Sequence, residues 1–420
     1  MGDRRHRAVA WAALFGLALA LRCRGLSRSL WYDELVSLQA FSGSLAGVFA
    51  HQVQANNHPL ASLLLWLSPA RSELGLRLPF AVLGALSCPA LAWSLACWGR
   101  ARSGVLAGVT LAVLPPAVLL GQQARGYAGL LLCVALLPGL AIRGPLALRA
   151  AVPALGVGFH ASFLLAPLAW VGLRPRAWRA WGVGIAAGGL LCGGVYPRTW
   201  RYLRRALREG DPGAAHALGA DDLWGWLSAG SPVWGAALLA CVALGLTRLR
   251  GRERWLAAPL LGVALLLALG VPGYPRFAAF ALPCLCALAG RGLASLPAPR
   301  LGCALLVALA ALPLRAQAQL ELQDLRGAAA WITARGATPY ASGFACESVR
   351  HYAPEVRDDL PGFLEDPGPA AFVDPFPRLT PPELREALER RAGAPTVLPG
   401  RHPVAIYFRA RSPSDARAGR

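Results

Sequence analysis

The chain is broken into apolar runs that are too long and too numerous for a soluble core. Leu74–Trp98 carries a single charged residue, Arg77, and further runs follow the same pattern: Ala8–Leu21, Val105–Gly121, Gly126–Ile142, Ala150–Leu173, Trp181–Tyr196, Val233–Leu249, Trp255–Val271, Phe277–Arg291 and Leu301–Leu314. A helix needs about 20 mostly apolar residues to cross a bilayer. Only 15% of the residues are charged, against roughly 25% in soluble domains. The pattern predicts a mainly α, polytopic membrane protein of about 11 transmembrane helices.

The formal net charge is +20, carried by Arg without Lys. With heavy use of Ala, Gly and Pro, this fits a high-GC genome, so the arginines are no nucleic-acid signal. Their placement reads instead as positive loops facing the cytoplasm and anionic lipid. The ten cysteines lie mostly in apolar runs, with Cys346 alone in the polar C-terminal part. Neither a disulfide framework nor a zinc spacing follows. Leu21-Arg22-Cys23-Arg24 is no small-residue cleavage site, so the first run is kept as an uncleaved span.

Arg4, Arg5 and Arg7 put the N-terminus in the cytoplasm. Asp33-Glu34 then falls outside, as do Gln122–Arg125 and Pro272-Gly273-Tyr274, while Arg100, Arg143, Arg248 and Arg300 fall inside. Two segments decide the count. His58–Pro69 is too short to span and is treated as a helix lying at the interface or re-entering. Ala150–Leu173 is split at Gly156-Val157-Gly158-Phe159-His160 into two short tilted helices, which returns Arg174, Arg176 and Arg179 to the inside. The division expected is a membrane part over residues 1–318, with a long first outside loop over 23–73, and a small extracytoplasmic α/β domain over 319–420. In that tail, helices are expected over Asp324–Arg335, Glu347–Tyr352 and Pro381–Arg391, and strands over Pro339–Ala345, Ala370–Phe376 and Val404–Phe408. It shows no phosphate loop, nucleophile elbow or metal spacing, and the chain has no internal repeats.

Acidic residues are scarce, 22 in 420, so two adjacent acids after the first span are informative. Leu35, Leu38 and Phe41 follow at helical spacing, which places Asp33 and Glu34 near the start of an amphipathic interfacial helix. Asp33 at a helix N-terminus favours its ionised form and can take a proton from a hydroxyl; the plainer reading is a helix cap. His58-Pro59 opens a helix with proline in its first turn, where His58 serves equally as a polar anchor. Arg125, after Gln122-Gln123-Ala124 and before Tyr127, and Arg276, after Tyr274-Pro275, each read as a phosphate ligand or as a snorkelling arginine. His160 in an apolar stretch reads first as a buried, hydrogen-bonded histidine. Charge counting puts Asp33, His58, Arg125 and Arg276 on one membrane face.

Taken in order, Trp31-Tyr32-Asp33-Glu34, His58-Pro59-Leu60, Glu73–Pro79, Gln122–Tyr127, Phe159-His160 and Tyr274–Pro283 resemble the bacterial polytopic glycosyltransferases of the GT-C fold. That group contains the protein mannosyltransferases and the aminoarabinose transferases of lipid A. Asp324-Leu325-Arg326 and Arg350-His351-Tyr352 also look like its tail. The resemblance implies an integral protein of the bacterial cytoplasmic membrane that moves a sugar from a polyprenyl-phosphate donor to an extracytoplasmic lipid, glycan or protein acceptor, with inversion. It implies Asp33 as base with Glu34 in support, and a substrate site drawn from His58, Gln123, Arg125, Tyr127, His160, Tyr274 and Arg276. No cofactor is implied with certainty; a divalent cation stays open, since one acidic motif leaves few ligands. Two departures stand out. Gln123 replaces the second acid of a Gln-Glu-Ala-Arg motif, and His58-Pro59-Leu60 replaces His-Pro-Pro. Two other classes compete. A transporter of lipid-linked intermediates would show polar, broken helices at mid-membrane and halved symmetry. A catalytically inactive scaffold would keep the fold and bind a partner through its α/β tail; Gln123 favours it, and the retention of Asp33 counts against it.

Overall fold

The computed structural model describes residues 2–49, 57–168, 175–193, 195–197, 218–268, 270 and 274–410, with residues 201, 204, 205 and 208. The stretches 50–56, 169–174 and 271–273, which fall within the expectations above, lie outside the described residues. The chain divides into two compact units. One comprises residues 1–26 and 41–318, the other 27–40 and 319–420. Ser27–Ala40, which follows the first apolar helix, thus belongs to the same unit as the tail.

The first unit is helical among its described residues. Among the described residues, four helices are long and apolar enough to cross a membrane, at Arg5–Cys23, Glu73–Cys97, Pro275–Ser295 and Pro299–Gln319, and the number rises to six if each of two bent pairs is one span. One bent pair is Ala101–Val113 with Pro115–Gly121, turned by 66°. The sequence had suggested a single run here; Pro115 and Pro116 cannot continue a helix and they disfavour the α conformation before them. Shorter apolar helices cover Tyr127–Arg143, Leu146–Phe159 and Ala258–Ala268. The expected break near His160 is present: Leu146–Phe159 ends there and a 3-10 turn, Ala161–Leu164, follows. His58 begins a nine-residue helix, Pro59–Leu67.

These helices pack closely because small residues let their backbones meet. A methyl group on Gly245 would strike the Leu288 carbonyl, and one on Gly292 would strike that of Cys241. Large apolar side chains point outward as well as inward: Leu190 is 84% exposed, Leu261 71% and Leu312 68%. Water would penalise that surface, whereas lipid accepts it. Some polar groups are buried in turn. Arg22 donates to the Ala18 and Ala117 carbonyls, and Arg77 to that of Leu26. Apolar helices of spanning length with exposed leucines make the chain an integral membrane protein.

The second unit is a small α/β fold. Its five strands are β1 (Thr338–Ala341), β2 (Arg357–Asp358), β3 (Ala370–Asp374), β4 (Thr396–Leu398) and β5 (Val404–Arg409). They lie in the order β2-β1-β3-β5-β4, so the sheet is mixed. β1 runs parallel to β2 and β3, and β5 runs antiparallel to β3 and β4. β3 is buried along its whole length, as a central strand covered on both faces must be. Tyr340, Phe372 and Tyr407 are register partners across β1, β3 and β5, and they form the core with Phe363 and Leu388. Helices Leu325–Thr333 and Leu360–Glu365 are capped by Asp324 and Asp359, whose carboxylates accept from Gly327 N and Gly362 N, each at 2.8 Å.

Candidate functional site

The first unit gathers a basic, aromatic cluster. The turn after Pro115–Gly121 is fixed by Gln122, whose Nε2 donates to the carbonyls of Arg24 at 2.8 Å and Leu21 at 3.3 Å. Arg125 follows, almost fully buried, with Nη2 2.8 Å from His58 Nε2. A guanidinium can only donate, so this His58 nitrogen accepts, and the neutral ring carries its proton on Nδ1. The His58 ring stacks on His160 with centroids 4.8 Å apart and planes 24° from parallel. Tyr127 stands 4.6 Å from His160 and 5.5 Å from His58, and the Arg125 guanidinium lies 5.6 Å from the Tyr127 ring.

Backbone contact sets this geometry. Gly126 lies against the Phe159 carbonyl and His58 Cβ, leaving no room for a side chain. Gly126 therefore lets the Arg125 turn approach the chain leading into His160. His160 is oriented by Ser162, whose backbone N donates to Nδ1 at 3.1 Å, with its hydroxyl 2.8 Å away. The acceptor role fixes the neutral His160 proton on Nε2. Ser162 was not foreseen; its signal is a hydroxyl two residues after a histidine at a helix end. Phe277 joins the group at 5.9 Å from His160, and Tyr274 meets Phe277 edge-on at 6.0 Å. The Arg276 guanidinium sits 4.4 Å from the Tyr274 ring. Gln123 is buried in the same turn as Arg125.

His58 Nδ1, Gln123 Oε1 and Tyr127 Oη are buried and have no hydrogen-bond partner among the described residues. Buried polar atoms without partners cost about 1–3 kcal/mol each, so this cluster is poised to hydrogen-bond a ligand. It offers cationic and donor groups beside aromatic faces, a chemistry suited to a phosphate ester carrying a sugar. Among the described residues no group of three or more His, Cys, Asp or Glu can hold a metal ion.

Asp33 and Glu34 belong to the second unit. Both are buried in a short helix, Tyr32–Val36, which runs into a π turn, Ser37–Phe41. Glu34 Oε2 accepts from Trp31 N at 3.3 Å, closing the helix start. Ser37 Oγ donates to the Asp33 carbonyl at 2.9 Å. The backbone before the acids is held by tail residues. Tyr32 N donates to Gln323 Oε1 at 3.0 Å and Leu30 N to Tyr352 Oη at 2.7 Å. Trp31 stacks on His402 at 5.6 Å, and Tyr32 meets Phe376 edge-on at 4.9 Å. The turn bearing Phe376 is closed by Asp374, which accepts from Phe376 N at 2.9 Å and from the Thr380 hydroxyl. Burial pushes the Asp374 carboxyl above the usual carboxylate range, against the pull of those two hydrogen bonds.

A helical unit with apolar helices of spanning length and a small mixed-sheet unit together define a polytopic membrane fold. Among solved structures, the chain is similar to ArnT from Cupriavidus metallidurans. In the apo state the TM-score is 0.57 at 13% identity, covering 95% of this chain and 98% of that one. Its structure bound to undecaprenyl phosphate gives 0.55, with the same identity and coverage. The likeness is one of fold, and at that level it meets the resemblance read from the motifs. No protein-family model matches the chain, and no curated protein matches it either.

Proposed function

We propose that the chain is a membrane glycosyltransferase that moves a sugar from a polyprenyl-phosphate donor to an extracytoplasmic acceptor, inverting the anomeric carbon. One observation carries the reading: a buried guanidinium, Arg125, set among His58, Tyr127 and His160 with partnerless polar atoms beside it. The ArnT fold supports it, since one of its solved structures holds undecaprenyl phosphate. About 11 crossings, with the N-terminus cytoplasmic and the tail outside, complete the proposed topology.

In the proposed reaction Asp33 takes the proton of the acceptor hydroxyl. The oxygen's electron pair attacks the anomeric carbon, and the bond from that carbon to the phosphate oxygen breaks with its electrons on the phosphate. The leaving group is an anion, so cations assist its departure and no general acid is needed. Arg125 and Arg276 take this role. His58, His160, Tyr127, Tyr274 and Gln123 orient phosphate and sugar, and Glu34 steadies the start of the Asp33 helix. Gln123 cannot ionise, so it contributes hydrogen bonds where an acid would contribute charge.

The test is sugar transfer in membranes carrying wild-type, Asp33→Asn or Arg125→Gln protein, supplied with radiolabelled polyprenyl-phosphate sugars. Label reaching a new lipid or glycan with wild type, and lost in both variants at equal expression, is the expected result. Equal transfer by wild type and Asp33→Asn would remove Asp33 as the base. An absence of transfer from every donor would count for the scaffold.

A further inference from the structure

Gln323 joins two strands of contact that meet at the acidic helix. It is fully buried, and both ends of its amide are used. Oε1 accepts from Tyr32 N at 3.0 Å, and Nε2 donates to the Pro375 carbonyl at 2.7 Å. Tyr32 is the first residue of the helix that carries Asp33. The N–H groups at a helix start have no partner inside the helix, so Gln323 supplies an acceptor where the helix cannot. Its donor end is anchored in the Asp374–Phe376 turn, whose Phe376 ring also meets Tyr32.

The segment holding Gln323 is itself tied down. Arg401 N and His402 N donate to the carbonyls of Glu321 at 2.9 Å and Leu322 at 2.8 Å. His402 then stacks on Trp31. Further contacts fix the chain just before the helix. Arg326 N donates to Ser29 Oγ at 3.2 Å and Arg326 Nη2 to the Ser27 carbonyl at 3.0 Å. Tyr352 Oη accepts from Leu30 N. Ser27 to Tyr32 is therefore held at several points by residues 291 to 322 positions away, and Gln323 commits both ends of its side-chain amide.

We propose that Gln323 is a positioning residue: through Tyr32 N it sets the place of the helix that presents Asp33, and this is the service of the C-terminal unit to the reaction. The proposal rests on the assignment of Asp33 as base. A catalytic group displaced by about 1 Å can cost 10²-fold in rate, so a bond at the helix start has leverage on turnover without touching substrate. A purely structural glutamine would lower the amount of folded protein and leave turnover per folded molecule alone.

The experiment uses the full-length protein in detergent. Amide hydrogen exchange over residues 27–40 is read in wild type, Gln323→Ala and Tyr352→Phe, beside kcat and KM for the polyprenyl-phosphate donor. Gln323→Ala is expected to speed exchange in this segment by about tenfold or more. It should lower kcat by roughly 10- to 100-fold with KM within about twofold. Tyr352→Phe, which removes one hydroxyl, is expected to act in the same direction and less. Unchanged exchange in Gln323→Ala overturns the proposal, as does faster exchange with kcat unaltered. Equal activity of wild type and Asp33→Asn would defeat the assignment of the base, while the exchange data still decide whether Gln323 sets the helix.

Discussion

Arg125 and His58 are fixed by their neighbours' side chains and by a backbone contact that a glycine permits; Asp33 sits on a five-residue helix whose start is held by hydrogen bonds from its backbone to side chains of the tail. In the first case the hydrogen bond is between side chains, the rings stack, and Gly126 closes the gap to the Phe159 carbonyl. In the second, donors at Leu30 N and Tyr32 N reach side chains of the tail. A cluster built by packing tolerates little change of volume. A helix start held by hydrogen bonds is weakened when one of their partners is removed.

The largest expected effect cuts across both regions. Asp33→Asn should lower transfer by about 10²–10⁴, the range that a positioned base contributes, and Arg125→Gln by about 10²–10³, as for a preorganised charge at a leaving group. Both are read as kcat at equal amounts of folded protein. The next separates packing from hydrogen bonding. Gly126→Ala should destabilise the first unit by about 1–3 kcal/mol through overpacking, seen as a lower melting temperature in detergent. Gly182→Ala, with open space at its Cβ position, should be neutral or slightly stabilising, since alanine favours a helix by about 0.5–1 kcal/mol. An equal loss in the two variants would break the contrast. The smallest effect is a control in the second unit. The Glu386–Arg390 pair at 3.5 Å is exposed on both sides, and Glu386→Ala should change thermal stability by no more than about 0.5 kcal/mol.

Much of this arrangement was legible in the chain. The interruption at His160 follows from a glycine-rich stretch amid apolar residues, and the helix after His58 from proline in a first turn. Tail strands with continuous apolar runs, Ala370–Asp374 and Val404–Arg409, were visible for the same reason. Two-residue Arg357–Asp358 and three-residue Thr396–Leu398 were not, because short, exposed edge strands carry no period to read. The bend at Leu114 was hidden by apolar residues on both sides of the prolines. The greater loss concerns Ser27–Ala40. No local pattern says that a segment after the first span pairs with residues of the tail, since Gln323 and Tyr352 are ordinary residues until the fold brings them to its backbone. The motif near Asp33 singled out the acid as a candidate and was silent about what holds it.

That long-distance tie has a consequence for biosynthesis. Tyr32 leaves the ribosome early, but Gln323 is 291 residues further along. At about 5–20 residues per second, roughly 15–60 s pass before the partner exists. During that interval the first helix can enter the bilayer while the acidic helix lacks its anchor. A chain broken off before the tail would leave Tyr32 N, at the start of the acidic helix, without its Gln323 acceptor.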